Sequence, residues 1–182
     1  DPSINYNYAI NYASENGHIN IVKLLLKDKR VNPSNYNNYT IQVASKNGHI
    51  DIVKLLLKDK RVDPSDDQNY AVNYASEYGH IDIVKLLLKD KRVDPSDNKN
   101  HAIRYSALNG HIDIVKLLLK DERVDPSDQE NWAIVHTFLE GYIDVVELLW
   151  NDERVKNTLK KDDLKLYNQL TKEDIKNKIS EF

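Results

Sequence analysis

Apolar and polar positions along the chain recur with a step of 31 residues. The third copy, DPSDDQNYAVNYASEYGHIDIVKLLLKDKRV, holds two amphipathic stretches separated by a glycine. The spacing predicts a short helix from about Tyr70 to Tyr78, with Ala71, Val72 and Ala75 on one face. Asn69 is placed to cap it, its side-chain oxygen accepting an otherwise unpaired backbone N–H. Gly79 permits the left-handed turn that ends it. A second helix is predicted from about Ile81 to Lys89, with Ile83, Val84, Leu86, Leu87 and Leu88 as apolar surface. Asp82 in its first turn and Lys85 and Lys89 toward its end suit the helix dipole. A polar connection, Asp90 to Asp97, follows, and Pro95 prevents the helix from running through it.

The backbone-special residues confirm the period. Glycine occurs only at Gly17, Gly48, Gly79, Gly110 and Gly141, and proline only at Pro2, Pro33, Pro64, Pro95 and Pro126. A fixed period of this size is the signature of a solenoid, in which one unit cannot bury its apolar face alone but stacked neighbours can. The predicted fold class is all-α: an α-solenoid of stacked helix-turn-helix repeats. The repeats are 1–31, 32–62, 63–93, 94–124 and 125–155. Residues 156–182 read as a degenerate sixth repeat that caps the array. Leu159, Leu164, Leu166, Tyr167 and Leu170 recur there at near-helical spacing, and Thr171-Lys172-Glu173-Asp174 resembles the start of a last helix carrying Ile175, Ile179 and Phe182.

Two segments carry a family resemblance. Ala13-Ser14-Glu15-Asn16-Gly17-His18 and Ile21-Val22-Lys23-Leu24-Leu25-Leu26, with their copies, resemble the A-A-x-x-G-H and V-V-x-L-L-L of the ankyrin repeat. The T-P-L-H-x-A signature of that 33-residue repeat is matched only in register, by Tyr70-Ala71-Val72-Asn73-Tyr74-Ala75. Two residues are missing in each unit, so shortened loops are expected in place of the projecting β-hairpin finger. The V-D-P-S variant with asparagine-rich loops resembles ankyrin proteins of giant amoeba-infecting DNA viruses. That resemblance implies an intracellular protein of the host cytoplasm.

Because the chain contains five copies of itself, columns that stay constant separate from columns that vary. The Ile19, Leu24 and Arg30 columns are invariant, reading Arg30, Arg61, Arg92, Arg123 and Arg154 in the last case. Variation concentrates in the loop before the first helix and on one stripe of that helix, at repeat positions 8, 12, 15 and 16. The stripe reads Tyr8, Tyr39, Tyr70, His101, Trp132, then Tyr12, Val43, Tyr74, Tyr105, His136, then Glu15, Lys46, Glu77, Leu108, Leu139, then Asn16, Asn47, Tyr78, Asn109, Glu140. The resemblance implies that first helices line a concave surface on which partners bind. Tyr, Trp and Arg suit that role because they give large contact area at modest entropic cost. The candidate partner-binding residues are Tyr8, Tyr12, Tyr39, Lys46, Tyr70, Tyr74, Tyr78, His101, Arg104, Tyr105, Leu108, Trp132 and His136. Packing of the rings between neighbouring first helices is the competing account of the position-8 column.

Charge and composition then narrow the function. The chain of 182 residues has a formal net charge of −3, no cysteine and no methionine. Lys and Arg set against Asp and Glu give +1, +3, −2, 0 and −7 from the first repeat to the fifth, and +2 in the tail. A near-neutral chain argues against non-specific nucleic-acid binding. No apolar run approaches a membrane span. Without thiols, disulfides and thiolate metal sites are excluded. His18, His49, His80 and His111 form one column whose members sit about a helix diameter apart, too far to share an ion; each is expected to hydrogen-bond at its own inter-helix turn. Ser65 and its copies lack a neighbouring base and are expected to stabilise turns. No phosphate-cradling glycine loop exists. The expected function is a non-enzymatic, monomeric protein-interaction scaffold without cofactor. The alternatives are the target-recognition part of a larger adaptor, for example one recruiting a ubiquitin ligase, and a nucleic-acid-binding array in which the Tyr columns stack bases. The missing methionine and the mid-loop opening at Asp1-Pro2-Ser3 predict further repeats upstream.

Overall fold

The computed structural model describes residues 4–172. These form α1 (Ile4–Glu15), α2 (Ile19–Leu25), α3 (Asn35–Lys46), α4 (Ile50–Leu56), α5 (Asp66–Glu77), α6 (Ile81–Leu87), α7 (Asp97–Leu108), α8 (Ile112–Leu118), α9 (Asp128–Glu140), α10 (Ile143–Trp150), α11 (Glu153–Asp162) and α12 (Leu164–Lys172), with no strand among the described residues. The odd-numbered helices α1 to α9 stack in one row and the even-numbered α2 to α10 in a second. Between the rows lies a continuous core built from columns. Ile10, Ile41, Val72, Ile103 and Ile134 face Val22, Val53, Val84, Val115 and Val146, all essentially inaccessible. Each such side chain stabilises the array by roughly 1.5–3 kcal/mol on burial. Small buried residues such as Ala71, Ala75 and Ser76 let first helices approach closely, since interaxial distance follows side-chain size. The second-row helices are shorter and touch one another more sparsely.

Where the finger hairpin of a longer repeat would stand, the chain makes a left-handed turn. Asp67, Gln68 and Asn69 have φ of 53°, 57° and 58°, and the same triplet recurs at Tyr36–Asn38, Asn98–Asn100 and Gln129–Asn131. For L residues this conformation costs roughly 1–2 kcal/mol each. Local bonds compensate in part: Asp67 N–H donates to Asp66 Oδ1 (2.8 Å) and Asn69 N–H to the Ser65 carbonyl (3.1 Å). The larger compensation comes from the neighbour. Asn69 Oδ1 accepts the backbone N–H of Asp94 (2.9 Å), and its Nδ2 donates to the Asp97 carboxylate (2.9 Å), both in the next repeat. Asn38 clasps Asp63 and Asp66 in the same way, and Asn100 clasps Asp125 and Asp128. This corrects the expected capping role of Asn69: its amide holds the following repeat rather than its own helix, because the left-handed backbone aims it across the interface. The Ser turns form as expected, with Ser65 N–H and Oγ both donating to Asp63 Oδ1 (2.9 and 2.7 Å).

Two further columns also cross the interface. His80 Nε2 bonds the Lys46 carbonyl at 2.9 Å, and His49 and His111 bond the Glu15 and Glu77 carbonyls likewise. The histidines therefore staple the preceding first helix and not their own turn. The ring lies against the preceding glycine: a Cβ on Gly48, whose φ is +79°, would meet His80 Cε1 at 2.7 Å. Gly141 is freed of that duty, with nothing within 4 Å of such a Cβ, since no histidine follows it. Arg61, Arg123 and Arg154 each donate through a terminal nitrogen to the carbonyl of Val31, Val93 and Val124 in the previous repeat (2.9, 3.1 and 2.7 Å) while forking onto Asp59, Asp121 and Asp152. Those hydrogen bonds hold the carboxyls of Asp59, Asp90, Asp121 and Asp152 below the ordinary carboxylate value. The equivalent bonds from Arg30 place Asp28 at about 2.

The pattern changes after α10. Asn157 stands where the proline column would continue, so nothing prevents an early helix. α11 starts at Glu153, inside the stretch that the 31-residue register gives to repeat five, with the Asp152 carboxylate accepting the Arg154 N–H. α11 packs against α9 and α10, α12 packs against α11, and Val155, Leu159, Leu166 and Leu170 are buried. No Asn clasp forms here: both polar side-chain atoms of the buried Asn131 lack a partner. Thr171 sits within α12 and donates to the Tyr167 carbonyl (3.0 Å), so no cap forms there; Ile175, Ile179 and Phe182 lie outside the described residues.

The clasp predicts unequal costs for one substitution at two sites. Glycine tolerates the left-handed turn, so Asn69→Gly removes only side-chain bonds and lowers unfolding free energy by about 2 kcal/mol. Asn131→Gly costs at least about 1 kcal/mol less, having no bonds to lose; urea denaturation of both variants measures the difference. Carboxyls whose folded pKa is depressed stabilise the fold above their unfolded value near 4 and cease to do so as pH falls through the folded value. The melting temperature is therefore expected to hold from about pH 7 to pH 5 and to drop below about pH 4, with a shallower drop in an Arg61→Gln, Arg92→Gln, Arg123→Gln triple variant.

Candidate partner-binding surface

The varying stripe lies on the first-helix row, and its side chains form two connected groups, with Tyr8, Tyr12, Tyr39 and Leu108 outside them. In repeat three, Tyr70 and Tyr74 stack one helical turn apart, with ring centroids 5.2 Å apart. Lys46 of repeat two reaches over Tyr74 (5.6 Å) and Tyr78 (5.2 Å). Burial pushes the Tyr74 hydroxyl above the ordinary phenol value, while Tyr78 is 46% exposed.

The second group spans repeats four and five. His101 stacks on Tyr105 (4.1 Å), Tyr105 lies against Trp132 (5.1 Å), and Trp132 stacks on His136 (4.0 Å). His136 Nδ1–H donates to the Trp132 carbonyl at 2.9 Å, which fixes its ring. The Arg104 guanidinium sits over both Tyr105 (5.5 Å) and Trp132 (5.1 Å). Such contacts are worth about 0.5–1 kcal/mol at exposed sites and more when desolvated. Glu77 joins the groups: its carboxylate meets His101 Nε2 at 3.0 Å. Burial lowers the His101 pKa, against the opposing pull of Glu77.

The remaining candidates stand apart. Tyr8 and Tyr12 stack at 5.8 Å, both at least half exposed. Tyr39 pairs edge-on with Tyr36 (5.9 Å) in the left-handed turn. Leu108 is half-buried one turn beyond Arg104 and takes no part in the ring and cation contacts. Val43 is buried, which interrupts the position-12 column in repeat two. In repeats three to five the position-8 rings are half-buried, so they pack against neighbours and present a face to solvent at once. The linking role of Glu77 was missed from the sequence, where it read as one of several stripe carboxylates.

Among the described residues no group of three or more His, Asp or Glu converges as metal ligands, and no helix is long and apolar enough to cross a membrane. An ankyrin-repeat profile matches the chain in three copies, over residues 1–68, 41–130 and 72–162. The chain belongs to the ankyrin-repeat family, whose repeats generally mediate protein–protein interaction. No curated protein matches it.

The half-buried His101 is expected to titrate below the ordinary imidazole value of about 6.5. Glu77→Gln removes the group that raises it and moves the midpoint lower still; NMR titration of the ring protons reads both values.

Proposed function

We propose that the chain holds a partner protein on its first-helix row, in a groove centred on Tyr70, Tyr74, Tyr78, His101, Arg104 and Tyr105. The single observation that carries this reading is the connected band of rings and cations at positions that vary between otherwise near-identical repeats. Scaffold columns are occupied by the clasps and staples, so variation there would break the stack. Stripe residues have no such duty, and large aromatic side chains with an arginine are the types that dominate binding energy at protein interfaces.

In this reading residues 1–155 are the five binding repeats and residues 156–182 close the end of the array. The protein works by binding and not by catalysis. Its origin in a giant amoeba-infecting DNA virus, and its action in host cytoplasm as a monomer, are parts of the same proposal, supported by the asparagine-rich V-D-P-S repeats and the scarcity of glycine and proline.

A Tyr74→Ala, Tyr105→Ala double variant tests the groove. Loss of two aromatic anchors is expected to reduce partner capture by more than about tenfold, with the helical spectrum unchanged. Undiminished capture by the folded variant would move the binding surface elsewhere.

A further inference from the structure

We infer that the groove takes an extended acidic segment of the partner, with one carboxylate on Lys46 and a second on Arg104; this rests on the protein-binding reading above. The evidence is how the chain disposes of its own charges. The other five arginines, Arg30, Arg61, Arg92, Arg123 and Arg154, each fork onto an aspartate two residues earlier. Lys54, Lys85, Lys116 and Lys156 pair with a carboxylate one turn away. Other lysines, such as Lys27, Lys58 and Lys89, also lack an ion pair, but among the described residues Lys46 and Arg104 are the cations that lie over rings with no carboxylate at ion-pair distance. Arg104 Nε is buried without a hydrogen-bond acceptor. A planar guanidinium fits a carboxylate with two parallel bonds, which a partner would make to its terminal nitrogens.

The nearby carboxylates do not make those bonds. Asp128 is held below the ordinary carboxylate value, against burial, by bonds from Asn100 Nδ2 and Gln129 and, less, by the Arg104 charge, and it makes no ion pair with Arg104. Glu77 is engaged by His101. In acidic repeat five, Asp152 and Glu153 are paired with Arg154 and Lys156, and Asp144 and Glu147 lie on α10, in the second row.

Lys46 and Arg104 are two repeats apart, about 20 Å at the usual helix spacing. An extended chain covers that distance in about six residues. Glu77 lies between the two cations and repels a central acid, so the favoured segment has acids near both ends and an apolar or aromatic middle over Tyr74 and Tyr78. Two cations are too few for a nucleic-acid backbone, whose binding needs many neutralised phosphates.

The test is selection of random dodecapeptides displayed on phage against the folded chain. Recovered peptides are then measured on the chain and on Lys46→Gln, Arg104→Gln, Arg104→Lys and Tyr74→Ala, Tyr105→Ala variants, each checked for an unchanged melting temperature. The expected result is enrichment of peptides with two acidic residues about five to seven positions apart. Lys46→Gln and Arg104→Gln should each weaken them about tenfold, a loss of roughly 1.4 kcal/mol, and Arg104→Lys should weaken them less. Peptides without paired acids that still need Tyr74 and Tyr105 overturn the acidic inference and leave the groove standing. Peptides indifferent to every variant, or no enrichment at all, overturn both. Salt-sensitive, Arg104-dependent binding of oligo-dT in place of acidic peptides also overturns the inference.

Discussion

The structure depends on one clasp: an asparagine amide in a left-handed turn that grips the loop of the next repeat at a backbone N–H and a carboxylate. Three successive left-handed residues without glycine are unfavourable within a single repeat. At Asn38, Asn69 and Asn100 two bonds across an interface offset that local strain, whereas the Gln129–Asn131 turn takes the same conformation on its local bonds alone. The histidine and arginine columns add bonds in the opposite direction, onto the preceding repeat. Each unit is thus held by its neighbours as much as by itself, the nearest-neighbour coupling expected of a solenoid.

That coupling explains where the array changes character. At the α10–α11 step the Asn clasp and the Pro column stop, the His column having already given way to Tyr142 before α10. Asn131 is buried with an empty amide, Gly141 has open space where a ring would lie, and α11 begins early over Asn157. Apolar contacts of Val155, Leu159, Leu166 and Leu170 hold this last pair of helices; the Arg154 bond to the Val124 carbonyl continues the arginine column, while Asn131 makes no clasp.

Much of the fold was legible in the chain because glycine and proline mark every unit at fixed spacing, and the apolar columns fell into the core as their helical spacing predicts. What periodicity does not reveal is direction. An invariant Asn or His reads equally well as serving its own repeat or the adjacent one, and local capping rules favoured the wrong choice for both. The early start of α11 was readable from the missing proline. For the candidate site, the Tyr, His and Trp columns were visible as variable positions. The seat of Arg104 over both Tyr105 and Trp132 was not, because those rings come from two repeats whose spacing only the stacked structure supplies. The same stacking buries Val43 in a column whose other members reach the surface. In the varying band Lys46 and Arg104 lie over rings without an ion pair, and that is why the band is read as the surface that meets a partner.

Amide hydrogen exchange under native conditions tests the clasp most directly. The N–H groups of Asp63, Asp94 and Asp125 lie in loops but are accepted by Asn38, Asn69 and Asn100. They are expected to exchange as slowly as amides within the neighbouring helices. Exchange at the rate of an open loop would contradict the account.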